Sequence, residues 1–222
     1  LDSLDFDAVR QGFERVIRPR LSDARFFWDQ DNKSSISDWS EQLNNIVFQN
    51  TLGSVGDKSR RISKISKKIA EETGVDEAAS MRAAVLCKCD LVSHMVGEFP
   101  ELQGIMGHYY ALQSGEAKEV AVAVGEHYLP AFSGDRLPSR SVGKVVAMAD
   151  RLDTLTGIFA TGLKPSGNKD PFALRRAALG LIRILLDGEL NIELDKALAI
   201  AALSLQEQVP VPPQVLLDVR QF

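Results

Sequence analysis

The chain has 222 residues, of which 45% are hydrophobic and 25% charged, a profile of one large or two small globular domains. Its formal net charge of −4, from 26 Lys+Arg against 30 Asp+Glu, excludes a polyanion binder working by bulk charge, so any nucleic-acid contact must come from local basic clusters. No apolar run approaches the length of a bilayer span, and no signal-peptide pattern opens the chain. The opening Leu1-Asp-Ser-Leu4 lacks an initiator Met and reads as part of a longer protein.

Apolar residues recur at helical spacing nearly throughout. Val9, Phe13, Val16 and Ile17 form a first stripe, which Pro19 is expected to close, with a second short helix from Leu21 to Trp28. Asn32 to Ser37 reads as a loop, and Trp39, Leu43, Ile46 and Val47 mark a third helix ended by Gly53 and Gly56. Ile62, Ile65 and Ile69 turn one helix inward, while Arg60, Arg61, Lys64, Lys67 and Lys68 are expected to line an exposed face of it. Asp76 is a plausible N-cap for one long helix from Glu77 to about Gly97. Pro100 begins another, with Gly104 and Gly107 on one side where a neighbouring helix can approach closely. Ser114 is expected to cap Glu116 to Tyr128, and Ser141 to cap the longest helix, Val142 to Gly162. Pro171 to Leu186 and Leu194 to Gln206 complete the set. The expectation is an all-α domain of about ten helices over residues 1–207. Residues 208–222, with Pro210, Pro212 and Pro213, are expected as a linker and the start of a following helical domain.

Polar residues interrupt three of these apolar faces: Lys88 and Asp90, then His127, then Asp150 and Asp153. Burying such groups is costly unless they meet one another. The residues alone leave two readings, a divalent metal site built from Asp90, His127, Asp150 and Asp153, or a buried ion network that includes Lys88. Cys87 and Cys89 lie two apart on a helix and face different ways, which favours free buried thiols in a reducing compartment over a disulfide or a zinc site. No G-x-S-x-G turn and no G-x-x-x-x-G-K-[ST] loop is present, so neither an elbow serine nor a Walker-type nucleotide site is expected.

The segment Lys164-Pro-Ser-Gly-Asn-Lys-Asp-Pro-Phe-Ala-Leu-Arg-Arg176 is the most specific in the chain. A turn leads to Asp170, which can cap a helix starting at Pro171, and Lys164, Lys169, Arg175 and Arg176 converge near that helix start. With Met95-Val-Gly-Glu-Phe-Pro-Glu-Leu-Gln-Gly-Ile-Met-Gly107 and Glu126-His-Tyr-Leu-Pro130, it resembles the beta subunit family of the two-subunit bacterial glycyl-tRNA synthetase. The resemblance runs over nearly the whole chain, from Arg18-Pro-Arg-Leu-Ser-Asp-Ala-Arg-Phe-Phe-Trp28 to residue 180. Asn50 and Gly56 depart from the family's usual pattern.

Within that resemblance, Cys89-Asp90, Glu126-His127 and Ala149-Asp150-Arg-Leu-Asp153 are similar to the metal-binding segments of HD phosphohydrolases. Cys89 stands where the His-Asp pair would have its histidine, and Arg60 and Arg61 stand where an earlier histidine ligand would lie. The resemblance therefore implies a degenerate HD-like domain with no metal, no cofactor and no catalytic residue of its own. It further implies a cytoplasmic ligase whose alpha subunit joins glycine to tRNA(Gly) with ATP, while this part of beta holds the tRNA near its acceptor arm, beside other beta-subunit domains. Under that reading, both basic clusters lie on the tRNA side. A metal-dependent phosphohydrolase and a purely architectural helical domain are the competing functions.

Overall fold

The structure, a computed structural model, describes residues 6–222. Ten α-helices are present among them: α1 (Phe6–Asp31), α2 (Val55–Thr73), α3 (Glu77–Leu86), α4 (His94–Glu98), α5 (Ile105–Gln113), α6 (Lys118–Glu126), α7 (Ser141–Ala160), α8 (Leu174–Asp187), α9 (Leu194–Leu205) and α10 (Pro213–Gln221). The all-α expectation holds. Short 3-10 turns cover Ile36–Asn45, Cys89–Val92 and Pro100–Leu102, and a small antiparallel hairpin pairs β1 (Val47–Gln49) with β2 (Gly53–Ser54).

The long α7 is the axis, because fifteen of its residues are buried, and α2, α3, α6, α8, α9 and α10 all pack on it. Ile62, Ile65 and Ile69 of α2 are fully buried, as the i, i+3, i+7 spacing requires. Gly157 lets Leu52 approach α7 closely, since a Cβ there would lie 2.9 Å from the Leu52 Cδ1.

Several boundaries differ from the sequence expectation, each for a local reason. Pro19 does not end the first helix: α1 runs through it, with its N-terminal part exposed and its end anchored where buried Asp31 accepts from the Tyr110 hydroxyl at 2.7 Å. The expected helix from Glu77 to Gly97 breaks after Leu86, and Ser93 recaps α4 by accepting from the Val96 N–H at 3.1 Å. The third expected helix is 3-10, capped by Ser35, and Val47 lies in β1 instead. Neither Ser114 nor Ser141 caps a helix; Ser114 Oγ accepts from Ile36 N, and Arg140 precedes α7 without a side-chain cap. The helix start expected at Pro171 falls at Leu174, yet Asp170 still accepts the N–H groups of Leu174 and Arg175, at 2.8 and 3.0 Å. Residues 208–222 turn back onto the body: Val215 and Val219 are buried, and Phe222 meets Phe159 with ring centroids 5.2 Å apart. No helix among the described residues is long and apolar enough to cross a membrane.

The start of α2 sets the direction of two site residues, Lys58 and Arg61. Ser54 and Asp57 cap each other there: the Asp57 N–H donates to Ser54 Oγ at 3.1 Å and the Ser54 N–H donates to Asp57 Oδ2 at 2.8 Å. The Ser54 amide and the Arg60 guanidinium hold the Asp57 carboxyl down at about 2. Asp57→Ala is expected to lower stability by about 1–2 kcal/mol at neutral pH. A depressed carboxyl contributes above its unfolded value and loses that contribution as pH falls from about 4 towards about 2. Urea titrations should therefore separate wild type and variant at neutral pH and bring them together in strong acid.

Candidate functional site

The three interrupted faces meet around two buried lysines. Lys88 follows the end of α3, and Lys58 lies in the first turn of α2; each is 5% exposed. Lys88 Nζ stands 2.9 Å from His127 Nε2 and 2.9 Å from Asp150 Oδ2. Lys58 Nζ stands 2.8 Å from Asp150 Oδ1, 3.0 Å from Asp153 Oδ2 and 2.7 Å from Thr154 Oγ1. Asp150 and Asp153 reach these partners because both lie on α7, one turn apart. Arg61 closes the set from below, with Nε 2.5 Å from Asp153 Oδ1 and its NH1 donating to Leu52 O and Gln208 Oε1.

The protonation states follow from these contacts. His127 Nδ1 donates to Val124 O at 2.6 Å, which leaves Nε2 as the acceptor that an ammonium requires. Burial and then the Lys88 charge hold this imidazole well below its ordinary value, so it is neutral. Burial works against charge on Lys88 too, but Asp150 overrides it and keeps the ammonium above the usual lysine range. Burial likewise opposes charge on Asp150, and Lys58 and Lys88 outweigh it, holding the carboxyl well below its usual range. The Tyr128 ring covers Lys88 Nζ at 3.9 Å from its centroid, and burial pushes its phenol up to about 12.

Of the five residues expected in this network, four meet and one stands apart. Asp90 is fully buried but turns to the start of α5, where Oδ2 accepts from Gly104 N at 2.6 Å and Gly107 N at 3.1 Å. A Cβ on Gly107 would lie 3.1 Å from that oxygen, which explains the glycine. Burial raises the Asp90 carboxyl above its ordinary value against the pull of those two amides. Two members were not anticipated. Lys58 gave no sequence signal because its neighbours read as a polar helix start, and Arg61 was expected on the exposed cationic face. Arg61 is 3% exposed and bound to Asp153, so it cannot make surface phosphate contacts. The sequence clue lay in its spacing, since Lys58, Arg61, Ile62 and Ile65 share one side of α2.

The other reading that the sequence left open, a divalent metal held by these side chains, does not fit the donors present. Both oxygens of Asp150 and the free nitrogen of His127 face ammonium groups at hydrogen-bond distance. Cys87 and Cys89 are free and buried, and burial pushes the Cys87 thiol up to about 12, far from the thiolate a metal would need. Among the described residues, no group of three or more His, Cys, Asp or Glu side chains is arranged to hold a metal ion. His94 lies apart from this cluster, stacked on Phe27 and 2.8 Å from Asp31 Oδ1.

The remaining cations are mostly paired at the surface. Arg60 binds Asp57, Lys64 binds Glu207, Lys68 binds Glu71, and Lys164 binds Asp218. Arg175 donates to Gly167 O at 2.8 Å and lies 4.0 Å from Asp170. Lys67, Lys169 and Arg176 make no such pair among the described residues. Arg176 does not reach Asp150 or Asp153 by a bond, but it lines the same cleft of about 450 Å³ as Asp150, Arg151, Tyr128 and Phe172.

Fold and site together define an all-α, multi-helix domain built around a buried cluster of ammonium, guanidinium and carboxylate groups. A sequence model described as glycyl-tRNA synthetase beta subunit matches residues 1–222, and the chain belongs to that family. It is 51% identical over 201 residues to the glycine–tRNA ligase beta subunit of Pseudomonas fluorescens (strain SBW25), covering 90% of this chain and 29% of that relative. Against the glycine–tRNA ligase beta subunit of Chromohalobacter salexigens it is 54% identical over 202 residues, 91% of this chain and 29% of the relative. Against that of Acinetobacter baumannii (strain ACICU) it is 50% identical over 201 residues, again 90% and 29%. The chain thus spans under a third of the length of the curated relatives it matches.

Asp153→Ala leaves Lys58 with one carboxylate and Arg61 with none, and is expected to cost about 3–5 kcal/mol in chemical denaturation. Lys88→Met is expected to cost less, because Asp150 keeps Lys58. The reverse order would contradict the pairing described here.

Proposed function

We propose that this chain is the HD-like, tRNA-positioning part of a glycine–tRNA ligase beta subunit. It supports ATP-dependent glycylation of tRNA(Gly), carried out by the alpha subunit in the cytoplasm. The observation that supports this most is the occupation of the His127 and Asp150 acceptors by Lys88 and Lys58 in a chain of this family. A site whose carboxylate and imidazole are spent on fixed ammonium groups has no open position for a metal-bound water, so hydrolysis has no nucleophile there. What such a body can offer an RNA is shape and cations.

Phosphate contact falls to the exposed cations. Lys67, Lys169 and Arg176 are available as they stand, and Arg60, Lys64, Lys68, Lys164 and Arg175 can exchange a weak surface pair for a phosphate. Arg61 drops out of this set. The alpha subunit, tRNA(Gly) and the other beta-subunit domains are the partners in this reading. ATP is used by the whole enzyme in this reading.

Arg176→Glu in the assembled two-subunit enzyme is expected to weaken tRNA(Gly) binding and to lower the slope of log affinity against log salt by about 1. Arg175→Glu is expected to act less, because that guanidinium is already tied to Gly167 O and Asp170. Binding titrations across salt concentrations measure both. Affinity and slope unchanged in both variants would remove this helix start from the tRNA surface.

A further inference from the structure

The buried charges beneath the cleft do not balance. Lys58, Arg61, Lys88 and Arg151 are each at most 7% exposed, and among the described residues the only carboxylates that pair with them are Asp150 and Asp153. Glu126, the other buried carboxylate nearby, is taken by Arg136 at 2.6 Å and by Ser139. Arg151 meets no carboxylate: its donors reach His127 O, Ala147 O, Tyr128 O and Pro130 O at 2.8–3.2 Å. In a chain of net charge −4, a surplus cation has been drawn into the interior. Buried charge of one sign is costly and calls for a counter-ion.

The cleft opens directly onto this surplus. Its volume of about 450 Å³ is lined by Asp150 and Arg151 at the floor, Tyr128 and Phe172 on the walls, and unpaired Arg176 at the rim. Glu101 also stands on the rim, exposed and bonded to none of these cations among the described residues. The volume lies in the ~300–1,000 Å³ range of small-ligand sites. The lining itself balances, Arg151 and Arg176 against Asp150 and Glu101, so the call for an anion comes from the surplus beneath the floor and from the unpaired Arg176, while Tyr128 and Phe172 offer a flat ring a face.

We propose that this cleft takes one unpaired nucleotide of an RNA strand, its phosphate held by Arg176 over the buried cations and its base against Phe172 and Tyr128. The proposal rests on the tRNA-positioning reading and gives it a seat. It places an unstacked nucleotide, rather than duplex backbone, at this point, since a base inside a helix has no free face to offer the walls. A free mononucleotide shares the chemistry, so the two sources must be separated.

The test uses the whole chain and three probes: an RNA hairpin with a short single-stranded 3′ tail, the same hairpin blunt, and AMP. Binding is followed by fluorescence anisotropy in wild type, Arg176→Ala and Phe172→Ala, with circular dichroism to confirm folding of each. The tailed hairpin is expected to bind about tenfold more tightly than the blunt one, and both substitutions to erase that difference while leaving blunt-hairpin affinity within about twofold. AMP is expected to compete only with the tail-dependent part. Equal binding of tailed and blunt hairpins by wild type would overturn the seat while leaving tRNA positioning intact. Failure of both hairpins to bind would sink the seat and the tRNA-positioning reading together. Tight AMP binding with no tail preference would assign the cleft to a free nucleotide and overturn the RNA form of the proposal.

Discussion

One ammonium group decides the character of this domain. Lys88 Nζ sits 2.9 Å from both the His127 imidazole and the Asp150 carboxylate, under the Tyr128 ring. Each neighbour fixes the others. The ammonium can only donate, so it selects the His127 tautomer whose Nε2 is bare, and Val124 O takes the proton on the far nitrogen. Asp150 in turn stays ionised although buried, because Lys58 holds its other oxygen. Removing Asp150 would leave the Lys88 ammonium in the interior without a paired carboxylate.

The helical frame exists around that constraint. α7 supplies Asp150, Arg151 and Asp153; α2 supplies Lys58 and Arg61; Lys88 comes where α3 ends, and His127 where α6 ends. Four elements are thus cross-linked by ion pairs and by the Lys88–His127 hydrogen bond at the same place where their apolar stripes converge. The break after α3 follows from the same geometry, since Lys88 turns to the cluster while Asp90 turns to the α5 amides. The reward of such an arrangement is a fixed register among helices rather than stability as such, which an apolar core would provide equally well.

How far the sequence spoke for this depended on the kind of signal. Helical periodicity located α2, α6, α7 and α9 well, because Ile62, Ile65 and Ile69, or Val142 to Phe159, repeat strongly. Proline misled at position 19, where an exposed helix tolerates what a packed one would not, and a 3-10 turn at Cys89–Val92 interrupted a run whose composition stays apolar. The cluster was half legible. Lys88, His127, Asp150 and Asp153 each stood out as polar residues on apolar faces. Lys58 and Arg61 did not, because a cation near a helix start looks like surface until the opposing carboxylates are seen in space. The same limit hid the pairing of the surface lysines and arginines, whose acidic partners, Glu207 and Asp218, lie far along the chain.

The protonation of His127 reports on the central contact most directly. Two-dimensional NMR of the imidazole nitrogens, followed from neutral pH downward and again after addition of zinc, reads both its tautomer and its occupancy. The account predicts a neutral ring protonated only at Nδ1, unresponsive to zinc and resistant to titration through the ordinary histidine range. An imidazole that protonates near pH 6.5, or whose Nε2 signal moves when zinc is added, would show that Lys88 does not hold that position.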